Sequence, residues 1–482
     1  MNLPASFLQM INTYFEKNPE LNLEAFLESF DESPRRGVRL NSWKTASDDI
    51  KQILDSIGAS KRVLWSENGY YIDTEGLGKN PYYHAGAYYI QEPSAMLPAE
   101  ILSPNPGDFV LDLCAAPGGK TTRLGEMMRG EGLLVSNEIS KDRVRALLRN
   151  VELFGLDHMV ITNETPEKLA ERLPGFFDKI LVDAPCSGEG MFRRDPQAVR
   201  SWEQFGPSHC RTVQEEILDK ADVLLKDGGE IVYSTCTFNS LENENLIDFF
   251  LQKHDEYHVV SHTERSGVTH CNGEHFQGAM RIWPHLSEGD GHFCVHLQKG
   301  TASSRKDSFI AAHKKKREHG EVYSVRVARD IYLQFCKEIL TDTAYDDVKE
   351  RAERYFLLYG DKTHILPVSP IFFDHLKVVK MGAFPGTIKH TEKGSFFIPS
   401  HSFALSISKE KMQSNRCLSL EYTDERIWRY LSGETVFLNE NEQMNLSKKG
   451  YILLTIGSRS LGWGKRNGMM LKNDYPAAWR LR

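Results

Sequence analysis

Short apolar runs alternate with amphipathic segments over residues 107–296. The apolar runs are "DFVLDLC", "LLVSNE", "HMVITN", "FDKILVD" and "GEIVYSTC". After the second run, "SKDRVRALLRNVELFG" places Val144, Leu147 and Val151 at helical spacing, and Gly155 predicts where that helix ends. Strands that alternate with helices in this way predict an α/β fold, with a parallel sheet covered by helices on both faces.

The residues that stand out chemically fall where these predicted strands end. Ligands of parallel α/β sheets bind beyond the carboxyl ends of the strands, so these residues are candidates for one site. They are Cys114 to Lys120 after the first strand, Glu138 after the second, Asn163 after the third, Asp183 to Cys186 after the fourth and Cys236 after the fifth.

The chain has 482 residues, which is more than one hydrophobic core usually supports. We therefore expect four segments. They are a small N-terminal domain (1–80), the strand–helix core (81–300), a basic linker (301–320) and a C-terminal α+β region (321–482). The last segment ends in short strands, turn glycines and aromatic and basic residues.

Composition is that of an ordinary globular protein, with 40% apolar and 26% charged residues. The net charge of −7 does not indicate nucleic-acid binding, and the six Lys and Arg of residues 301–320 favour a solvated linker on composition alone. No apolar run reaches the roughly 18 residues of a membrane span, and the N-terminus lacks a secretory signal. The eight cysteines have no C-x-x-C spacing, which favours free thiols in the cytosol and predicts no metal site.

The turn "CAAPGGKTT" resembles a phosphate loop but departs from it at one essential position. A phosphate loop needs glycine five positions before the glycine of G-K-T, and Cys114 stands there instead. The dinucleotide fingerprint fails as well, because Gly118 and Gly119 are adjacent. A nucleotide hydrolase is therefore disfavoured.

A different nucleoside ligand suits the same strand ends. Glu138 lies 19 residues after Gly119, which fits one strand–helix–strand step, and its carboxylate can accept both hydroxyls of a ribose. Asn163 and Glu164 could bracket an adenine at the next strand end. This layout is the one expected for S-adenosylmethionine, although Glu138 alone could equally be a surface carboxylate.

If the substrate is a pyrimidine, the two cysteines in "DAPCSGEG" and "YSTCT" suit covalent catalysis. Carbon 5 becomes nucleophilic enough to accept a methyl group once a thiolate adds to carbon 6, and the adduct must later lose a proton and expel the thiol. Asp183, Cys186 and Cys236 could supply an acceptor for the base, a group for release and a nucleophile, and Lys120 would favour the thiolate form. A buried small hydrophobic residue is the alternative for any single cysteine.

In this order, the motifs resemble the Sun-type RNA cytosine-5 methyltransferase family. The residues that carry the resemblance are "YYIQEPSAMLPAEIL", "VLDLCAAPGGKTT", "SNEIS", "DAPCSGEGMFRRDP" and "YSTCTFNSLENE", which together span about residues 83–252. The early "RRGVRLN", the later "IPSHSFAL" and the final "LGWGKRNGMMLKNDYPAAWR" are similar to the bacterial RsmF-like branch, which methylates 16S ribosomal RNA.

The resemblance implies a Rossmann-like S-adenosylmethionine-dependent methyltransferase core, an N-terminal domain of the RNA-binding type and a PUA-like RNA-binding module at the C-terminal end. It makes Cys236 the nucleophile and Cys186 the group that assists release, whereas a Pro-Cys nucleophile of the DNA methyltransferase kind would have selected Cys186. The family has an aspartate near adenine where this chain reads "TNETP", so Asn163 or Glu164 takes that place. The implied cofactor contacts are Cys114, Ala115, Ala116, Pro117, Gly118, Gly119, Lys120, Glu138, Arg143, Asn163 and Asp183.

The expected activity is transfer of a methyl group from S-adenosylmethionine to carbon 5 of cytosine in 16S ribosomal RNA. The expected partner is that RNA within the 30S subunit or an assembly intermediate, with no DNA or membrane, and the expected form is a cytosolic monomer. The resemblance also makes residues 301–320 a candidate RNA contact. Two alternatives remain, the same chemistry on transfer RNA or 23S ribosomal RNA, and a ribosome-assembly protein without catalysis. The intact Cys186, Cys236 and Asp183 disfavour the second.

Overall fold

The structure is a computed structural model that describes residues 3–44, 47–301 and 319–481. Its N-terminal unit combines helices with a four-stranded antiparallel sheet of order β2-β3-β1-β4. The elements of this unit are α1 (Ala5–Lys17), α2 (Leu23–Glu28), β1 (Arg36–Leu40), α3 (Ser47–Ile57), β2 (Ala59–Arg62), β3 (Gly69–Ile72), α4 (Pro81–His84) and β4 (Tyr88–Ile90). In α1, Phe7, Ile11 and Phe15 recur at a spacing of four and form one buried stripe.

The central unit alternates strands and helices, as the hydrophobic pattern predicts. Its first half comprises α5 (Leu97–Leu102), β5 (Phe109–Asp112), α6 (Gly119–Met127), β6 (Leu133–Asn137), α7 (Arg143–Phe154), β7 (Met159–Thr162) and α8 (Pro166–Arg172). Its second half comprises β8 (Phe177–Asp183), α9 (Pro196–Leu224), β9 (Leu225–Thr235), α10 (Glu244–Lys253), β10 (Tyr257–Val259), β11 (Thr269–Cys271), β12 (Ala279–Ile282) and β13 (His292–Lys299).

The C-terminal unit contains two further sheets and adds one strand to the central sheet. Its first elements are α11 (His319–Ile339), α12 (Asp342–Tyr355), β14 (Phe356–Tyr359), β15 (Lys362–Ile365), β16 (Val378–Met381), β17 (Ala383–Thr391), β18 (Gly394–Pro399) and α13 (His401–Ser406). Then follow β19 (Cys417–Leu420), α14 (Glu425–Leu431), β20 (Val436–Phe437), α15 (Glu440–Asn445), β21 (Gly450–Ile456), β22 (Arg459–Asn467) and β23 (Met470–Asn473).

The central sheet has the order β11-β12-β13-β9-β8-β5-β6-β7-β16, and β10 pairs with β13. The five strands from β9 to β7 are parallel, whereas β13 and β16 run antiparallel on either side of them. The strand order reverses at β5. From β5 the chain continues to β6 and β7 on one side, and then returns to β8 and β9 on the other side. This is the position where open α/β sheets bind ligands.

Two buried apolar clusters cover the two faces of this sheet, which explains why its strands are continuously apolar. Gly155 ends α7 as predicted, with φ of 71°, and a Cβ at this position would lie 2.5 Å from the carbonyl oxygen of Leu405. These features confirm the predicted α/β class and its Rossmann-like core.

The first and last units of the chain share one hydrophobic core. Tyr82 stacks on Tyr422 with ring centres 5.2 Å apart, and Asp49 forms an ion pair with Arg459 at 2.9 Å. The C-terminal unit therefore contacts both other units. It shares a core with the N-terminal unit, and its strand β16 pairs with β7 of the central sheet. The four-segment division of the chain stays a prediction, and most of the predicted basic linker, residues 302–318, lies outside the described residues.

Within the described ranges, no helix is both long enough and apolar enough to cross a membrane.

Candidate active site

The glycine turn between β5 and α6 forms the first part of the site. Gly118 has φ of 111°, a left-handed conformation that favours glycine. Arg143 Nη2 donates to the Ala116 carbonyl at 2.6 Å, and Asn150 Nδ2 donates to the Pro117 carbonyl at 2.8 Å, so α7 holds the turn in place. The predicted cofactor residues Cys114, Ala115, Ala116, Pro117, Gly118, Gly119 and Lys120 form this one continuous segment.

A buried arginine of the N-terminal unit, Arg39 in β1, supports the same turn from the opposite side. Its Nη2 donates to the Gly119 carbonyl at 3.1 Å and to Thr122 Oγ1 at 2.7 Å. Its Nη1 forms an ion pair with Glu126, which also accepts a hydrogen bond from Ser42 Oγ at 2.7 Å. Sequence reasoning missed this role, since "RRGVRLN" served only as part of the resemblance and nothing in its letters marks which arginine is buried.

Glu138 follows β6 and is only 2% exposed. Its Oε1 accepts from the Ser140 backbone N–H at 2.8 Å. Its Oε2 accepts no hydrogen bond from the described residues, although Arg143 Nη1 lies 3.2 Å away. A buried carboxylate oxygen without a donor suits a ligand that brings its own hydroxyl groups, as a ribose does. Glu138 therefore fits the cofactor that the sequence implies.

Asn163 and Glu164, the two candidates for the adenine contact, hold different segments of backbone in place. Asn163 Nδ2 donates to the carbonyls of Glu138 and Ile139 at 2.6 and 2.9 Å, so it shapes the backbone beside the cofactor side of the site. Glu164 is buried and accepts from the Lys377 backbone N–H at 2.7 Å, which fastens the loop before β16. Sequence reasoning passed over Ile139, whose exposed side chain offers apolar surface next to Glu138.

Asp183 ends β8 and links the glycine turn to the cysteines. Its Oδ2 accepts from Lys120 Nζ at 2.7 Å, its Oδ1 accepts from Ser234 Oγ at 2.9 Å, and His292 Nε2 lies 3.6 Å from Oδ1. Burial alone would raise the pKa of Asp183, but Lys120 and His292 hold that pKa well below its usual range. The carboxylate is therefore ionised at neutral pH and acts as a hydrogen-bond acceptor.

The two predicted cysteines meet beside Asp183. The sulfur atoms of Cys186 and Cys236 lie 3.4 Å apart, and both side chains are partly exposed. Parallel pairing of β8 with β9 brings the loops together, because Asp183 lies opposite Ser234 in the register. The contact with Cys236, followed by burial, raises the pKa of Cys186, so Cys186 keeps its proton at neutral pH.

A buried hydrogen-bond network joins the two cysteine loops, and sequence reasoning missed it. Glu189 is fully buried, and its Oε2 accepts from the backbone N–H groups of Phe238 and Asn239 at 2.7 and 2.9 Å. Glu242 is also fully buried and accepts from the Ser187 backbone N–H at 3.0 Å. Acidic residues in turn-like sequence usually lie at the surface, so "GEG" and "LENE" gave no signal beyond their position after the cysteines.

The strand order, the glycine turn and the polar strand ends together define a methyltransferase fold, and comparison with known families makes this specific. Three family models match the chain in sequence. They are the N-terminal domain of 16S rRNA methyltransferase RsmF (residues 3–93), 16S rRNA methyltransferase RsmB/F (residues 99–298) and the RsmF PUA domain (residues 417–481). The chain belongs to the RsmB/F family of rRNA methyltransferases, and residues 417–481 form a PUA-type RNA-binding domain, as the resemblance implied.

Relatives match over nearly the whole chain. Ribosomal RNA small subunit methyltransferase F of Shewanella oneidensis is 29% identical over 476 residues, which cover 97% of this chain and 95% of the relative. The protein of the same name from Shewanella sp. strain ANA-3 is 28% identical over 481 residues with the same coverage.

Solved structures agree with the fold. A methyltransferase homolog protein from Pyrococcus horikoshii is 29% identical with a TM-score of 0.50, over 57% of this chain and 90% of that one. NSun6 from the same organism is 20% identical with a TM-score of 0.52, over 62% of this chain and 99% of that one, and shows the fold alone.

Proposed function

We propose that this chain transfers the methyl group of S-adenosylmethionine to carbon 5 of a cytosine in 16S ribosomal RNA, through a temporary bond between Cys236 and carbon 6 of the base. The observation that carries the proposal is the contact of Cys186 and Cys236 at 3.4 Å beside the ionised Asp183. Covalent methylation of a cytosine needs a nucleophile, a group for release and a fixed acceptor, and these three side chains can serve as such a set. Membership of the RsmB/F family supports the RNA substrate.

The proposed roles of the two cysteines are those that the family resemblance implies, and the geometry places both thiols beside Asp183. Cys236 adds to carbon 6 and so makes carbon 5 nucleophilic. Asp183 accepts hydrogen bonds from the amino group and protonated nitrogen 3 of the base, and stabilises the positive charge that develops there. Once Cys236 is bonded to carbon it no longer places a thiolate charge beside Cys186, so Cys186 can exchange a proton during release.

The cofactor side of the site fits S-adenosylmethionine, which supplies a methyl group on a positively charged sulfur. The turn from Cys114 to Lys120, with Arg143 and Asn163, would hold it, and Glu138 Oε2, which pairs with Arg143 but accepts no hydrogen bond from the described residues, would accept its ribose hydroxyls. Lys120 is paired with Asp183 at 2.7 Å, so its charge is compensated and does not oppose a sulfonium nearby.

We also propose that the enzyme is a cytosolic monomer that binds its substrate within the 30S subunit or an assembly intermediate. A target base must leave its stack to reach a thiol, at a cost of a few kcal/mol. Contacts with RNA shape and phosphates from the PUA-type domain would offset that cost. The predicted RNA contact in residues 301–320 is a further part of this proposal.

The test separates the two thiols. Purified 30S subunits from a strain that lacks the gene are incubated with S-adenosylmethionine and each variant. Cys236→Ala should abolish both methyl transfer and any covalent adduct, because the attacking atom is gone. Cys186→Ala should leave attack possible but slow release, so a protein–RNA adduct should accumulate on a denaturing gel.

The matched control is Cys210→Ala, which changes a partly exposed thiol of α9 without a proposed role and should methylate like the unaltered chain. Bisulfite sequencing of the RNA then locates the modified cytosine. An adduct that accumulates with Cys236→Ala would show that the roles are reversed. Transfer RNA and 50S subunits from the same strain are incubated in parallel. Methylation of either of these, with none on 16S RNA, would contradict the proposed substrate.

A further inference from the structure

We propose that Cys186 and Cys236 also form an oxidisable dithiol, which a peroxide converts into a disulfide that stops methyl transfer until a dithiol reductant reopens it. Formation of the bond depends only on how the two thiols are placed. Its effect on activity rests on the proposed function.

The thiols are held close together by their own loops. The sulfurs of Cys186 and Cys236 are 3.4 Å apart, and a disulfide of about 2.05 Å requires them to approach by about 1.4 Å. Hydrogen bonds fasten the residues on both sides, since Ser187 Oγ lies 2.8 Å from Thr237 Oγ1 and the Gly190 N–H donates to the Cys236 carbonyl at 2.9 Å. Because these bonds hold the backbone on both sides, the proposal is that the two side chains rotate to close the remaining distance.

Access and protonation also suit this chemistry. Both thiols are partly exposed, so a small peroxide can reach them, whereas Cys294 and Cys336 are buried. The contact with Cys236 raises the pKa of Cys186, which keeps that thiol protonated. Cys186 is therefore suited to react second, as a thiol that gives up its proton when the disulfide closes.

The proposed reaction balances in two steps. The Cys236 thiolate attacks one oxygen of hydrogen peroxide, so that an S–O bond forms, the O–O bond breaks, and the departing hydroxide takes up a proton to become water. The Cys186 sulfur then attacks the resulting sulfenic acid, so that the S–S bond forms and hydroxide leaves with the Cys186 proton as a second water. Two thiols lose two electrons, and one peroxide is reduced to two waters.

The experiment treats the full chain with increasing hydrogen peroxide, blocks the remaining thiols with N-ethylmaleimide and maps linked peptides by mass spectrometry. We expect a peptide pair joined through Cys186 and Cys236, with two maleimide-reactive thiols lost per chain. Methyl transfer should fall in proportion to the linked fraction and return to at least 80% of its starting value after dithiothreitol.

Two variants make the test specific. Cys210→Ala should form the same linked pair, because Cys210 takes no part. Cys186→Ala has no second thiol beside Cys236, so its Cys236 should be trapped as sulfenic acid by dimedone and should not form an internal disulfide. Mapping is done without RNA, so a linked pair in a chain that does not methylate 16S RNA would contradict the proposed function, and with it the effect on methyl transfer, but would still support formation of the disulfide.

The inference is overturned if both thiols stay maleimide-reactive at peroxide doses that oxidise Cys236 in Cys186→Ala. It is also overturned if the linked peptide joins Cys236 to Cys210, or if the linked pair forms without loss of methyl transfer in a chain that is otherwise active.

Discussion

The two sides of the candidate active site are supported in different ways. The cofactor side lies at the ends of β5, β6 and β7, and its glycine turn depends on Arg39, which reaches across from the N-terminal unit to the Gly119 carbonyl. The cysteine side lies at the ends of β8 and β9, and its buried carboxylates are internal, because Glu189 and Glu242 belong to the cysteine loops and the segment that follows them.

The N-terminal unit also contacts the cysteine side, through apolar packing and through hydrogen bonds that Arg193 and Arg194 donate to the carbonyls of Ser29 and Arg35. Phe26 of α2 lies edge-on to Phe238 with ring centres 5.0 Å apart, and Phe7 of α1 lies 5.2 Å from Phe192. Charge pairs that cross between units are costly to break singly, whereas apolar packing tolerates small changes. Cofactor binding should therefore be affected first when the packing of the N-terminal unit against the site is disturbed.

The largest expected effect breaks the cofactor side alone. Arg39→Met leaves the Glu126 carboxylate buried without its main partner, which should lower the free energy of unfolding by about 3–5 kcal/mol. The double variant Arg39→Met/Glu126→Gln removes that charge and should regain most of the stability. Its affinity for S-adenosylmethionine should stay about tenfold weaker, because the hydrogen bond to Gly119 is still missing.

Urea unfolding and calorimetric titration of the cofactor measure the two quantities separately. A double variant that binds the cofactor as tightly as the unaltered chain would show that Arg39 only stabilises the fold.

Much of the fold was readable from the sequence, because the strand–helix alternation and the stop at Gly155 are local signals. The contacts of the C-terminal unit with the other two units could not be predicted from the sequence. Nothing local indicates that Tyr82 will stack on Tyr422, or that β16 will extend a sheet whose other strands lie more than 70 residues earlier in the chain. Such contacts depend on how whole units pack, which periodicity does not report.

In the candidate site, too, some residues could be predicted from the sequence and others could not. Parallel strands end at one edge, so the sequence order of Cys114, Glu138, Asp183 and Cys236 was enough to predict that their strand ends form one site. The residues that hold them, such as Arg39, are charged groups whose burial depends on partners far away in the chain. In the sequence they cannot be distinguished from ordinary surface residues, because the partners that bury them come from distant parts of the chain.

The second prediction tests whether the two sides are coupled through Asp183, which contacts Lys120 on one side and Ser234 on the other. Asp183→Asn removes the fixed negative charge and should lower the rate of methyl transfer by about 10²–10³-fold. Ser234→Ala removes one hydrogen bond to the same carboxylate and should cost less than tenfold. Single-turnover rates at saturating cofactor provide the measurement, and equal losses in both variants would argue against a role for the charge.

The third prediction addresses the internal support of the cysteine side. Glu189→Gln places an amide where a carboxylate accepted two backbone N–H groups, so we expect a loss of about 2–3 kcal/mol in unfolding free energy and slower adduct formation. Cofactor affinity should not change, since the network does not reach the glycine turn. Glu203→Gln, at an exposed position of α9, is the matched control and should leave all three quantities unchanged. A weaker cofactor affinity in Glu189→Gln would mean that the two sides share their support.

The smallest effect concerns the join between the first and last units, which keeps Arg39 in place. His84 Nδ1 lies 2.8 Å from the Tyr475 hydroxyl across this join, and burial, assisted by Arg149, lowers the pKa of His84 to about 4. The unfolded chain binds this proton with a pKa near 6.5. The contribution of His84 to the free energy of unfolding is therefore fully present above about pH 6.5 and falls as the pH drops toward 4.

Between pH 7 and pH 5, His84 should contribute a loss of up to about 2 kcal/mol in unfolding free energy, to which other buried histidines add. His84→Gln should reduce that pH dependence in urea unfolding, because the titrating imidazole is gone. An unchanged slope in His84→Gln would place the acid sensitivity elsewhere.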